Sequence, residues 1–232
     1  LAHAAQVSGA RLRVGFRRPG LAAFDVEVAC DQVRRYEGDF YFDMLGFLGL
    51  QPASEVRWAP APEVARQLRS RYLEEGAGPA RIVGLDLAGT EGHGLSQRQL
   101  DDIVGRAVEL GTRVLLFFTL AERRLVKYLK ETYGKRTILF AQDDLASVAA
   151  LLDGCRALVS CNTDLLHLAM AMRVPTVGIF DEAPERWLVP GLATARAIRV
   201  PRLKDVTIGP VVDALHAALR GDRPDPGARG GR

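Results

Sequence analysis

The residues best suited to chemistry lie in one stretch, Ala157-Leu-Val-Ser-Cys-Asn-Thr-Asp-Leu-Leu-His-Leu-Ala-Met-Ala-Met-Arg-Val-Pro-Thr-Val-Gly-Ile-Phe180. An apolar strand-like run ends there in a polar turn at Asn162 and Thr163, followed by a nearly all-apolar helical segment with one histidine. In a parallel sheet such a turn sits at the carboxyl end of a strand, where α/β proteins place ligands. The helix that opens there offers backbone N–H groups and a positive dipole end, which suit a diphosphate. His167 follows Thr163 by four residues, so the two share a face. Helical side chains also lean toward the N-terminus, which brings the imidazole back toward the turn. Each residue has a plainer role too: Asn162 or Thr163 as an N-cap, Asp164 as a complement to the helix dipole, His167 as a packed core histidine.

From residue 81 onward the elements needed to position this turn are legible. Strand-like runs fall at Arg81–Leu87, Arg113–Thr119, Arg136–Phe140, Ala157–Cys161 and Val174–Phe180. Helical segments lie between them: one N-capped by Ser96 with Leu100, Ile103, Val104, Ala107 and Val108 on one face and Gly111 at its end, then Ala121–Tyr133, Asp144–Leu152 and Thr163–Met172. Continuous apolar strands are buried on both faces, which predicts a parallel sheet between helices, a doubly wound α/β domain. The first part is less regular. It offers a strand at Leu12–Phe16, an extended Val26–Val28, a helix around Phe40–Leu48 and a helix over Pro62–Glu75, too few strands for a whole doubly wound sheet. Gly76-Ala-Gly-Pro79 reads as a linker. The expected division is a partial N-terminal domain over 1–78, a C-terminal domain over 79–220 closed by a helix at Val206–Leu219, and a disordered Gly/Pro/Arg tail over 221–232.

Composition narrows the function classes. The 232 residues are 48% hydrophobic and 25% charged, ordinary for a soluble globular protein. No apolar run approaches the roughly 20 residues needed to span a bilayer. The start has neither Met nor a secretory-signal pattern, and the chain is expected to begin mid-protein. Cys30, Cys155 and Cys161 lack metal-ligand spacing and suggest reduced thiols in the cytoplasm. The net charge of +3 is spread over scattered arginines, with lysine only at Lys127, Lys130, Lys135 and Lys204, so no nucleic-acid partner is expected. Walker A, GxGxxG, CxxC and GxSxG patterns are absent, as are internal repeats.

The long stretch resembles the signature of the heptosyltransferases, glycosyltransferase family 9, which runs Ser-x-Asp-Thr-Gly-x-x-His-x-Ala-x-Ala before a Val-Pro-Thr-type strand. Ser160, Thr163, His167, Ala169, Ala171, Val174, Pro175 and Thr176 match it. Arg81-Ile-Val-Gly-Leu-Asp-Leu-Ala-Gly-Thr90 is similar to the first strand and phosphate-side loop of the family's C-terminal domain, which brings Ala88 and Gly89 among the candidate ligand-binding residues. Asp144-Leu-Ala-Ser-Val-Ala-Ala-Leu-Leu152 is similar to the helix before the signature strand, and Ser8–Phe16 to a strand midway through the N-terminal domain. The resemblance spans nearly the whole chain but lacks the family's opening strands.

The resemblance implies a GT-B architecture of two Rossmann-like domains, with an ADP-sugar held by the C-terminal one. It implies transfer of a heptose to a lipopolysaccharide-core or related lipid-linked glycan acceptor by inverting displacement, in the cytoplasm and with peripheral contact at the inner-membrane surface. No metal or cofactor is expected besides the ADP-sugar donor. A general base would deprotonate the acceptor hydroxyl and is expected in the missing N-terminal part, so no catalytic residue is assigned here. The chain departs from the pattern in two places. Asn162-Thr163-Asp164 stands for Asp-Thr-Gly, which puts a Cβ and an acidic group beside the expected phosphates, a cost of roughly 1 to 4 kcal/mol. The family's phosphate-side lysine is missing, and His93 is the only nearby substitute. Glu122 aligns with an acidic position that contacts the donor's nucleoside, and Trp187 and Pro190 with a loop near the nucleotide. Two rival readings remain: a non-catalytic, degenerate GT-B domain that binds nucleotide weakly or serves as an interaction module, and a GT-B enzyme with a different nucleotide-sugar donor.

Overall fold

The computed structural model describes residues 7, 9–17, 20, 24–28, 36–51, 58–73, 81–88, 94–142 and 144–221. Its elements in chain order are β1 (Val14–Phe16), β2 (Val26–Val28), α1 (Glu37–Phe47), α2 (Pro62–Tyr72), β3 (Ile82–Asp86), α3 (Gln97–Glu109), β4 (Arg113–Phe118), α4 (Arg123–Tyr133), β5 (Thr137–Ala141), α5 (Leu145–Asp153), β6 (Ala157–Cys161), α6 (Asp164–Ala171), β7 (Thr176–Phe180), β8 (Ala195–Arg199) and α7 (Ile208–Arg220). Two compact units divide the chain: residues 1–56 with 185–190, and 57–184 with 191–232.

In the first unit β1 and β2 pair in parallel, Val14 opposite Val26. Phe16 meets the rings of Phe40 and Tyr41 on α1 edge to face, at 6.0 and 5.4 Å. Gly15 lies under the Phe24 ring, where an added Cβ would come within 2.5 Å of it, so a side chain there would force the ring aside. Arg13 holds Asp25 through two side-chain bonds of 2.7 and 2.9 Å, which draw the exposed Asp25 carboxyl down to about 2.

The second unit is a six-stranded, all-parallel sheet in the order β5-β4-β3-β6-β7-β8. Renumbered within the unit this is the 3-2-1-4-5-6 Rossmann order, whose direction of winding reverses between its first and fourth strands, here β3 and β6. β3 and β7 are buried at every position. One core, on the face covered by α3, α4 and α7, is built on Val83, Leu85, Leu100, Leu116 and Leu215; the other, with α2, α5 and α6, on Phe117, Leu151, Leu158 and Leu165.

Two features differ from the sequence reading. A sixth strand, β8, extends the sheet: its Ala-Arg-Ala-Ile-Arg run is exposed or half-buried throughout, because an edge strand packs few side chains, and so it lacks the apolar signature of its neighbours. The compact units part near residue 56, not 78. Helix α2 belongs to the second unit, where its continuation Leu73 enters the core beneath Gly154, Arg69 pairs with Asp153 at 3.1 Å, and Arg113 donates to the Leu73 carbonyl at 2.9 Å. The linker at 76–79 and the tail at 222–232 lie outside the described residues.

A capping box opens α3, with Ser96 and Gln99 exchanging bonds. The Gln99 amide also donates to the carbonyls of Leu203, Lys204 and Val206 at 3.3, 3.1 and 3.0 Å, tying the segment before α7 to the start of α3. Gln99→Leu strands these acceptors and is expected to lower stability by about 1 to 3 kcal/mol, measurable as a drop in denaturant midpoint. A change within error would show that water replaces the amide.

Candidate functional site

β3 and β6 end side by side at the switch point, and each delivers a polar group there. Asp86 closes β3 and is 5% exposed. Its Oδ2 accepts from Ser160 Oγ at 2.9 Å and from Thr163 Oγ1 at 2.5 Å, and its Oδ1 from the Ala88 amide at 3.0 Å and Gln142 Nε2 at 3.2 Å. The two hydroxyls lie 2.9 Å apart, and Ser160 Oγ is also 2.9 Å from the Cys161 carbonyl. Burial raises the Asp86 carboxyl above its ordinary value, opposed by the bonds from Thr163, Ala88, Ser160 and Gln142. The neighbouring Cys161 thiol is pushed up to about 12, by burial first and then by Asp86 and Asp181.

A raised carboxyl has a signed consequence for stability. The folded state holds the Asp86 proton to higher pH than the unfolded state, so the folded protein loses stability as pH rises from the unfolded carboxyl range through the folded one. Asp86→Asn removes this dependence. Its unfolding free energy relative to wild type is therefore expected to grow as pH rises above about 4, in parallel denaturant titrations. A difference independent of pH would show that the donors fully offset burial.

Thr163 is the N-cap of α6 by backbone, with φ −131° and ψ 168°, yet its side chain makes no cap bond. Its carbonyl accepts from Leu166 at 3.1 Å and from His167 at 3.5 Å. Asn162 and Asp164 are exposed and Thr163 and His167 half-buried. The first turn of α6 faces a cavity of about 200 Å³ lined by Gln142, Asp144, Leu145, Val148, Asp164, Leu165 and Leu168.

Of the sequence candidates, the structure therefore brings Ala88 and Thr163 together through Asp86, with Asn162, Asp164 and His167 on the same turn and helix. Gly89 and His93 lie outside the described residues. Glu122 is at the carboxyl end of β4, 4% exposed, where its Oε2 accepts from the Thr119 amide and hydroxyl at 2.8 and 2.7 Å in a capping box. One of its oxygens is thus engaged in shaping the β4 turn. Trp187 and Pro190 belong to the first unit, where the Arg186 guanidinium lies 4.8 Å from the Trp187 ring centre and pairs with Glu37 at 3.7 Å. Asp86, Ser160 and Gln142 were not among the candidates. The signal that could have found Asp86 is a lone carboxylate ending an apolar strand, at the edge where ligands bind. Among the described residues no group of three or more His, Cys, Asp or Glu gathers to hold a metal, and no helix is long and apolar enough to cross a membrane.

No curated protein matches the sequence. Among solved structures, a glycosyl transferase family 9 protein from Veillonella parvula superposes with a TM-score of 0.74 at 15% identity, over 94% of this chain and 70% of that one. The E. coli ADP-heptose lps heptosyltransferase II superposes with a TM-score of 0.71 at 19% identity, over 91% of this chain and 71% of that one. The E. coli heptosyltransferase WaaC with ADP gives 0.62 at 16% identity, over 84% and 60%. Likeness at these identities establishes the fold, the α/β fold of GT-B heptosyltransferases. The family model of glycosyltransferase family 9 (heptosyltransferase) matches residues 98–205, which contain the Ser160 to His167 turn with β6 and β7 but not β3 and its Asp86. Over these residues the chain is similar to glycosyltransferase family 9, the heptosyltransferases.

Proposed function

We propose that the chain binds a nucleotide-sugar donor, an ADP-sugar, at the carboxyl edge of its six-stranded sheet and takes part in inverting transfer of a heptose to a lipopolysaccharide-core or related lipid-linked glycan. The observation that carries this reading is the uncapped start of α6 beside the β3/β6 switch point. N–H groups in that position, with the helix dipole behind them, attract a diphosphate. Asn162, Thr163 and Asp164 would present backbone to the phosphates, His167 a ring nitrogen, and Ala88 its backbone from the end of β3; Gly89 and His93 are candidates by sequence. Glu122 would meet the nucleoside through its remaining oxygen. Work on such an acceptor would place the protein in the cytoplasm, at the inner face of the membrane, and the donor itself would make a separate cofactor unnecessary.

Calorimetric titration with ADP, UDP and GDP tests the reading, with His167→Ala as control. Saturable binding that prefers ADP and weakens roughly 5- to 10-fold in the variant, as for one lost charge-assisted or neutral hydrogen bond, supports it. No binding at millimolar nucleotide rejects it in favour of the non-catalytic reading. One observation favours that second reading: Asp144 and Asp164 line the same cavity, so two acidic side chains would face an anion entering it.

A further inference from the structure

Two helix N-termini border the cavity between α5 and α6, and they are finished differently. Asp144 caps α5 conventionally, its Oδ1 accepting from the Ser147 amide at 2.8 Å. Thr163 has the same extended backbone conformation at the head of α6 and a hydroxyl able to do likewise, yet that hydroxyl points to Asp86 at 2.5 Å and makes no cap bond. We infer that Asp86 is a positioning residue: with Ser160 it draws the Thr163 hydroxyl onto the end of β3, and so leaves the Leu165 N–H of α6 without a side-chain cap and open to an external anion.

The physical contest is between two orientations of one hydroxyl group, one donating its O–H to Asp86 and one turning its oxygen to accept from a helix N–H. A Thr at an N-cap ordinarily turns its oxygen toward the N–H of the second or third helical residue, here Leu165 or Leu166. Donation to a buried carboxylate is the stronger bond, because hydrogen bonds to an ionised acceptor are shorter and worth more than neutral ones. Asp86 cannot move to follow the turn. Its other oxygen is held by Ala88 and Gln142, and its backbone lies in the central strand, in register with Phe117. Ser160, two residues before the turn on β6, adds a second donor on the same side. The tether therefore runs across the switch point, from the first strand of the unit to the helix after the fourth. Nothing in the proposed mechanism otherwise uses a carboxylate this deeply buried, and placing one beside an expected diphosphate is unfavourable unless it does a separate task.

The inference rests on the donor-site reading above for its purpose, but its test has a readout that does not require nucleotide. Asp86→Ala frees the Thr163 hydroxyl to cap α6. Amide hydrogen exchange of Leu165 in the unliganded variant is then expected to slow about 5-fold, and ADP affinity to fall about 5-fold, the size of one N-cap hydrogen bond. Asp86→Asn keeps an acceptor for the Thr163 hydroxyl and is expected to restore both values to within about 2-fold of wild type, whereas a merely structural role would move only the unfolding temperature. Unchanged exchange in Asp86→Ala overturns the positioning role whatever the nucleotide does. Slowed exchange in a protein that binds no ADP upholds the tether and rejects the donor site instead. If Asp86→Ala does not fold, Thr163→Val decides the matter: exchange at Leu165 stays at the wild-type rate when the hydroxyl contributes no cap, which upholds the inference, and speeds up when it does, which overturns it.

Discussion

Asp164→Gly is expected to tighten ADP binding by on the order of 10-fold at low salt, because the substitution removes an acidic group a few ångströms from where the diphosphate would meet α6. Asp164 is the first residue of that helix and is exposed. Its interaction with a phosphate is therefore screened by water and ions and belongs at the weak end of the Coulomb range. Two smaller effects act on the result. Glycine lets the backbone approach the ligand without a Cβ, which adds to affinity. The helix also loses an acidic residue that complements its dipole, worth about 0.3 to 1 kcal/mol, which lowers stability slightly. Asp164→Asn separates these contributions, since it removes charge and keeps the Cβ. Raising the salt should shrink the gain of both variants over wild type in calorimetric titrations. Equal affinity of wild type and Asp164→Gly at all salt concentrations would mean that the phosphates do not sit at the start of α6.

Phe117→Ala is expected to cost about 3 to 5 kcal/mol of unfolding free energy, the range for truncating a fully buried aromatic. Phe117 is 0% exposed in β4, packed edge to face against Phe140 at 6.3 Å, and Phe140 in turn meets Tyr72 at 5.5 Å. Gly84 on β3 lies against the same ring, where even an added Cβ would come within 3.2 Å. The ring thus joins the sheet to α2 and α5, and its loss opens a cavity that backbone hydrogen bonds on both sides prevent from collapsing. With a total stability of about 5 to 15 kcal/mol for an ordinary domain, this is a large share. Denaturant unfolding followed by far-ultraviolet circular dichroism should show a lower midpoint at an unchanged slope. A loss below about 1 kcal/mol would mean that neighbouring side chains refill the site.

The local grammar of the second unit is legible in the amino-acid sequence alone. The five continuous apolar runs became β3 to β7 with ends shifted by no more than two residues, and Ser96, Asp144 and Thr163 each stand at a helix start. Burial on both faces leaves a strand no polar alternation, so these runs announce a parallel sheet without reference to any partner. The turn at Asn162 and Thr163 was legible for the same reason, being the polar break between such a run and an apolar helix.

The remaining features depend on contacts between elements distant in the chain. β8 has a mixed pattern because it is an edge, and only its pairing with β7 from Thr176 opposite Ala195 makes it a strand. Helix α2 precedes a linker-like sequence, yet its packing on α5 and the burial of Leu73 assign it to the second unit. Two of the partners of Asp86, Ser160 and Thr163, stand 74 and 77 residues away along the chain. No periodicity can report that distance, because it depends on β3 and β6 becoming neighbours, and strand order is set by how helices cover the two faces of the sheet. The sequence shows that Thr163 can cap a helix; the fold places a buried carboxylate where it draws that hydroxyl away.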